Sequence, residues 1–111
     1  MVQKYNALQV PQDLHIHTVF SEHDRAVVPE QTPELIAKVR HASIMGISDH
    51  FEHFDHRFEE YQKELRKWGF YVGTEVDGAD YVDDAAGLDF DYYIYHCRDH
   101  PGEYKGIETL L

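Results

Sequence analysis

The chain has 111 residues, of which 42% are hydrophobic and 14% aromatic, and its formal net charge is −11. This composition predicts a single globular domain over residues 1–111 and excludes a disordered chain, and the acidity argues against nucleic-acid or anionic-membrane partners, which require basic surface. One cysteine excludes an internal disulfide, and the first residues lack an apolar signal core, so we expect a cytoplasmic protein.

The predicted elements alternate between strand and helix. Alternation between polar and apolar residues predicts a first strand over 12–18, and Thr32 can cap a helix over 32–42 whose apolar stripe is Leu35, Val39 and Ala42. A strand is predicted over 43–50, and a helix over 55–68, ended by Gly69, has an apolar stripe of Phe58, Tyr61, Leu65 and Trp68. The remaining predictions are a strand over 70–76, a short crossover over 77–87, and a strand over 88–96 with Leu88, Phe90, Tyr92, Ile94 and His96 on one side.

This order predicts a parallel α/β sheet, either doubly wound or barrel-like. In such folds, functional sites lie at the carboxyl ends of the strands. Each predicted strand ends in imidazoles or carboxylates, so one sheet edge should collect His15, His17, Asp49, His50, Glu75, Asp77 and His96.

The residue types at this edge are those that bind divalent metal ions. Two histidines separated by one residue on a strand face the same side, so His15 and His17 can reach a single ion. Glu75 has two oxygens and can bridge two ions, and Asp13 can orient a ligand imidazole. The other histidines, His53, His56 and His100, are interpreted as surface residues, as are Glu22 and Asp24.

Four segments, "DLHIHTVFSEHD", "ISDH", "VGTEV" and "DYYIYH", resemble in order and spacing the first four motifs of the PHP (polymerase and histidinol phosphatase) family. The histidinol-phosphatase-like and stand-alone phosphoesterase branches are the most similar. The resemblance covers about residues 12–97.

The resemblance implies a distorted β/α barrel with up to three Zn, Mn or Fe ions. It implies that His15 and His17 bind the first ion, that Glu75 bridges it to the second, that His96 binds the second, and that His23 and His50 bind the third. A full family barrel is about twice this length, so we expect a partial half-barrel with about four parallel strands and two to three helices. The remaining ligands would come from a missing half, from self-association into a homo-oligomer, or from water and substrate.

The function that the resemblance implies is hydrolysis of a small phosphate monoester by a metal-activated hydroxide. Asp49 is the candidate proton donor to the leaving alcohol, and Arg98 is the candidate contact to the phosphate. The alternative is a non-catalytic half-barrel that binds metal ions for stability or for assembly with a partner.

Overall fold

Four parallel strands form one sheet, and they follow each other in chain order. The structure is a computed structural model that describes residues 11–97 and 106–110. The strands are β1 (Gln12–Asp13), β2 (Ile44–Ile47), β3 (Tyr71–Asp77) and β4 (Tyr92–His96). A doubly wound sheet reverses its strand order at a switch point, whereas a barrel does not. The curled, consecutive sheet is therefore a half-barrel, which confirms the predicted partial β/α barrel.

Short helices connect these strands, and one more follows β4, so the described residues form five helices where two to three were predicted. They are α1 (Pro33–Val39), α2 (Phe51–Phe54), α3 (Phe58–Lys67), α4 (Val82–Ala86) and α5 (Gly106–Leu110), with 3-10 turns at Asp55–Arg57 and Ala79–Tyr81. Among the described residues, no helix combines the length and the apolar character needed to cross a membrane.

The second predicted helix begins earlier than its sequence indicates. Helical structure begins at Phe51, and the 3-10 turn separates α2 from α3. The predicted apolar stripe is correct, because Tyr61 and Leu65 are fully buried. Gly69, at a φ of 83°, follows the helix end as predicted.

Helix α1 buries a different face from the predicted one. Thr32 caps it as expected, since its hydroxyl accepts a hydrogen bond from the amide of Leu35. Leu35 and Val39 nevertheless remain exposed, while Pro33 is buried and Ile36 and Ala37 pack against the core. Of the predicted stripe, Ala42 alone packs against the core, and it lies beyond the helix end at Val39. The helix has two adjacent apolar stripes, and packing against the core selected the other one.

The first strand is shorter than predicted. Only Gln12 and Asp13 pair with β2, and the chain then leaves the regular ladder. One further backbone bond, from the amide of Ser48 to the carbonyl of Ile16, keeps the segment beside β2. His15 and His17 therefore lie on an extended segment, 14–18, that follows β1.

The fourth strand begins at Tyr92, four residues later than predicted. A carboxylate oxygen of Asp91 accepts a hydrogen bond from the amide of Val72, and Arg66 pairs with the same carboxylate. This arrangement bends the chain before the strand begins. Phe90 consequently packs among helix aromatics, so the predicted alternation is wrong for this residue, whereas Tyr92 and His96 share the opposite face as predicted.

The two faces of the sheet differ in composition. The helix face holds the apolar core, in which Met45, Ile47, Val72 and Val76 pack against aromatic side chains of α2 and α3. The inner face, opposite the helices, displays Gly46 from β2, Gly73, Glu75 and Asp77 from β3, and Tyr92 and His96 from β4. Because side chains alternate along a strand, Glu75 and Asp77 of β3 share this inner face, whereas Thr74 lies on the helix face with Val72 and Val76.

Candidate metal centre

The carboxyl ends of the strands and the loop after segment 14–18 bring seven ionisable side chains together. They are His15, His17, Asp24, His50, Glu75, Asp77 and His96. Residues 50 and 75 pair through an isolated parallel bridge, which places the end of β2 beside β3. Asp77 and His96 are direct cross-strand partners. The predicted convergence of strand ends is therefore present in the fold.

The first set of donors is the His15 group, which comprises His15, His17 and Glu75. Nε2 of His15 lies 2.8 Å from Oε1 of Glu75, and Nε2 of His17 lies 3.1 Å from the same oxygen. Two ligand atoms of a tetrahedral zinc site are separated by about 3.3 Å, given Zn–N bonds of about 2.0–2.1 Å. The donor types and their separations therefore fit one divalent ion.

The second set is the Asp77 group, which comprises His50, Glu75 and Asp77. Nδ1 of His50 lies 2.8 Å from Oδ2 of Asp77 and 3.4 Å from Oε2 of Glu75. Glu75 thus contributes one oxygen to the His15 group and the other oxygen to the Asp77 group. Its carboxylate is positioned to bridge two neighbouring ions.

The third set is the Asp24 group, which comprises His17, Asp24 and His50. Oδ2 of Asp24 lies 3.2 Å from Nδ1 of His17 and 3.4 Å from Nε2 of His50. Its other oxygen accepts a hydrogen bond from the amide of Ala26 at 2.9 Å. The sequence interpretation of Asp24 as a surface residue is therefore wrong.

Protonation within the cluster follows from its acidity. The hydrogen bond to Asp77 raises the pKa of His50 from 6.5 to about 9, with help from the charge of Glu75 and against the effect of burial. Burial raises the pKa of Asp77, but hydrogen bonds from His50 and His96 help to outweigh it, and the pKa of this carboxyl falls well below its usual value. At neutral pH the metal-free cluster therefore holds a cation, protonated His50, between carboxylates.

Asp49 lies beneath the cluster and not in it. Its side chain is fully buried, and its oxygens accept hydrogen bonds from the hydroxyls of Thr18 and Ser21, each at 2.6 Å, and from the amide of Thr18. Burial raises the pKa of Asp49, while these hydrogen bonds oppose the rise. A proton donor must contact its substrate. The structure therefore gives no support to the catalytic role expected for Asp49, which instead anchors the chain after His17.

The remaining predicted residues occupy different positions. His96 reaches the cluster through Asp77, with Nδ1 3.1 Å from Oδ1 of that residue. The ring of His23 lies 5.3 Å from the ring of His53 and belongs to none of the three groups. His53 also lies against His50, at 5.1 Å between ring centroids, but it is only partly buried, lies in the first turn of helical structure and belongs to none of the three groups. Arg98 and His100 lie outside the described residues.

Asp13 does not orient a ligand imidazole. One of its oxygens accepts a hydrogen bond from the backbone amide of His15 at 3.2 Å, and the other lies 2.9 Å from Nε2 of His41. Asp13 thus contacts the backbone of His15 and the ring of His41. The expectation that Asp13 supports the ring of a ligand histidine is wrong, although Asp13 does help to fix the segment.

Two residues of the cluster, Asp77 and Asp24, are not among the candidate metal ligands that the sequence indicates. Asp77 was placed at the correct strand end, and its position two residues after Glu75 was the signal that both share a face. Asp24 lies on the loop after the segment 14–18, seven residues beyond His17. No strand periodicity extends into that loop, so the sequence contained no comparable signal.

An open cleft of about 240 Å³ lies beside the cluster, lined by His15, His17, Asp24, Ala26, Val27 and Gln31. The side chain of His15 is 57% exposed, whereas that of Glu75 is 8% exposed. Solvent and ligand therefore reach the cluster from the side of His15. The volume is below the range of about 300–1,000 Å³ typical of drug-sized ligands, so the cleft fits a small molecule.

Comparisons with protein-family models, with curated proteins and with solved structures find no match to this chain.

Proposed function

We propose that this chain is a metal-dependent phosphoesterase of the PHP kind, which binds divalent ions at the His15 and Asp77 groups and hydrolyses a small phosphate monoester. The observation that supports it best is the position of Glu75, whose two oxygens lie in two adjacent donor groups. Divalent ions bound as a pair supply charge that stabilises phosphoryl transfer and lower the pKa of a water molecule. The order and spacing of the four sequence motifs favour the same function.

In the three donor groups of the described residues, the ring nitrogens allow two ions to be bound at a time. His17 offers Nε2 to the His15 group and Nδ1 to the Asp24 group. His50 likewise offers Nδ1 to the Asp77 group and Nε2 to the Asp24 group. A neutral imidazole has only one nitrogen free to bind an ion. Filling the His15 and Asp77 groups therefore uses both rings and leaves the Asp24 group without imidazole donors.

In this arrangement Asp24 orients both ligand rings. When His17 binds through Nε2, its Nδ1–H donates to Asp24, and when His50 binds through Nδ1, its Nε2–H donates to the same oxygen. Carboxylates that accept from the second nitrogen of a ligand histidine fix its tautomer and ring orientation. Asp24 is thus a shared positioning residue for two histidines, and the resemblance-based expectation of three ions becomes a proposal of two.

The substrate is small and anionic. The cleft beside His15 has room for a small molecule, and the exposed ring of His15 is at its entrance. A net charge of −11 disfavours a polyanionic nucleic acid, whereas a single phosphate group can be held by the ions themselves. A small phosphate monoester satisfies both conditions.

The test is hydrolysis of p-nitrophenyl phosphate by protein loaded with Mn²⁺ or Zn²⁺. Wild-type protein should turn the substrate over, and His17→Ala should reduce the rate at least a hundredfold. The matched control is His56→Ala, which removes an exposed histidine outside the three groups. Equal rates in His17→Ala and the wild type would remove the proposed site.

The second candidate function is metal binding without catalysis. The buried position of Asp49 favours it, because the expected proton donor has no access to the cleft. This candidate predicts tightly bound ions with no turnover of p-nitrophenyl phosphate under any metal. The number of bound ions and the rate of turnover, measured on the same protein, therefore separate the two candidates.

A further inference from the structure

Tyr92 crosses the inner face of the half-barrel. Its hydroxyl donates a hydrogen bond to the backbone carbonyl of Leu14 at 2.7 Å, so β4 is joined to the segment that follows β1. In a flat sheet these elements would be three strand spacings apart, or about 14 Å, which exceeds the length of a tyrosine side chain. The contact is possible only because the sheet is curled.

Two glycines make room for this ring. A Cβ atom at Gly46 or at Gly73 would overlap the ring of Tyr92. Gly73 is also the direct cross-strand partner of Tyr92. The ring therefore lies over β3 and β2 in space that only glycine leaves open, which fixes the position of its hydroxyl.

The bonded carbonyl belongs to the peptide plane that leads into His15. The N–H of the same peptide group, which belongs to His15, donates a hydrogen bond to the carboxylate of Asp13 at 3.2 Å. Segment 14–18 lies beyond the regular strand pairing of β1. The hydrogen bonds to Tyr92 and to Asp13 therefore fix the orientation of the peptide plane between Leu14 and His15. The direction in which the His15 ring leaves the chain depends on this plane.

We propose that Tyr92 is a positioning residue for the metal centre: through the Leu14 carbonyl it holds His15 against Glu75. The expected effect on metal affinity rests on the proposed function, whereas the expected effect on amide hydrogen exchange does not. Burial raises the pKa of Tyr92, so the hydroxyl keeps its proton and remains a donor at neutral pH. Loss of the hydroxyl alone should weaken the His15 group and leave the Asp77 group intact.

The chain provides a matched control in the next residue. Tyr93 lies on the opposite face, and its hydroxyl donates to the carbonyl of Ala85 at 3.3 Å. Tyr92→Phe and Tyr93→Phe therefore each remove one hydrogen bond to a backbone carbonyl, but only the first acts on the segment bearing His15. A purely structural role would give the two variants the same effects.

The experiment measures Zn²⁺ affinity by chelator competition, together with amide hydrogen exchange of metal-free protein. Tyr92→Phe should weaken the binding of one ion about tenfold, the lower end of the range for residues that orient metal ligands, and leave the second unchanged. Its Ser48 amide, which bonds to Ile16, should exchange faster than in the wild type. Tyr93→Phe should change neither measurement more than twofold.

The two readouts separate this inference from the proposed function. If wild-type protein binds no Zn²⁺, the proposed function fails, and faster exchange at Ser48 in Tyr92→Phe still supports the positioning of the segment. If Zn²⁺ binds and Tyr92→Phe matches the wild type in affinity and in exchange, the inference is overturned. Equal weakening in both tyrosine variants also overturns it, because the effect is then a general loss of stability.

Discussion

Nδ1 of His50 lies 2.8 Å from a carboxylate oxygen of Asp77. The pair joins the end of β2 to the end of β3, and its partners Glu75 and Asp24 are also acidic. In the metal-free protein, the proton on His50 balances part of this negative charge. In the proposed metal centre a bound cation would replace that proton, so metal binding would be linked to protonation and stability at one residue.

The stability of the metal-free protein should fall as the pH rises. The pKa of His50 is about 9 in the folded protein and 6.5 in the unfolded chain, so protonated His50 favours the folded state. This contribution is complete below pH 6.5 and is lost as the pH rises through about 9. Urea denaturation in the presence of a chelator, at pH 6 and at pH 9.5, should show a lower free energy of unfolding at the higher pH.

The variant Asp77→Asn isolates this effect. It removes the hydrogen-bonding carboxylate that is the largest cause of the raised pKa of His50. The decrease in the free energy of unfolding between the two pH values should therefore be smaller than in the wild type. An identical pH dependence in both proteins would contradict the assignment of the decrease to this pair.

Asp24→Asn tests whether Asp24 orients ligands or binds an ion. If it orients His17 and His50, the variant should still bind two ions, with an affinity about 10–100-fold lower. Glu30→Gln, an exposed acid on the same loop, should leave the affinity unchanged. Calorimetric titration with Zn²⁺ measures both number and affinity. Three ions in the wild type and two in Asp24→Asn would instead make Asp24 a ligand.

Asp49→Asn should destabilise the fold. The amide group that it introduces has only one acceptor oxygen, so at least one of the donors from Thr18 and Ser21 would be left buried without an acceptor. The expected cost is about 2 kcal/mol in the free energy of unfolding, and Asp84→Asn on the exposed side of α4 should change it by less than about 0.5 kcal/mol. Equal values for the two variants in urea denaturation would show that Asp49 does not anchor the segment.

Gly73→Ala should lower the free energy of unfolding by about 1–3 kcal/mol, because the added Cβ would overlap the ring of Tyr92. Gly87→Ala is the matched control, since a Cβ there has ordinary contacts and its φ of −78° suits alanine. Thermal unfolding of the two variants checks the difference. The double variant Gly73→Ala with Tyr92→Leu should lose less stability than the sum of the two single variants, because the second substitution removes the overlapping ring.

Much of the fold follows from local patterns in the sequence. The parallel sheet was predicted from alternating periodicities, and the buried stripe of α3 from Tyr61 and Leu65 at helical spacing. The choice between two apolar stripes on α1 was not predictable, because both satisfy the same periodicity. It depends on the core against which Ile36 and Ala37 pack, which is a property of the whole fold.

The candidate site was predictable only where its residues lie at or just beyond the ends of strands. His15, His17, His50 and Glu75 meet as expected, because strand ends of a parallel sheet lie at one edge. Asp24 was missed because a loop determines its position, through the amide of Ala26. Tyr92 was placed on a strand, but its reach to Leu14 depends on the curl of the sheet, which no local pattern of residues specifies.

The measurement that tests the central claim most directly is the number of tightly bound divalent ions per chain, determined by elemental analysis after Zn²⁺ loading and desalting. Wild-type protein should retain two ions, and Glu75→Gln should retain at most one, because Glu75 contributes an oxygen to each of the two groups. Fewer than one ion in the wild type, or the same number in both proteins, would contradict a metal centre bridged by Glu75.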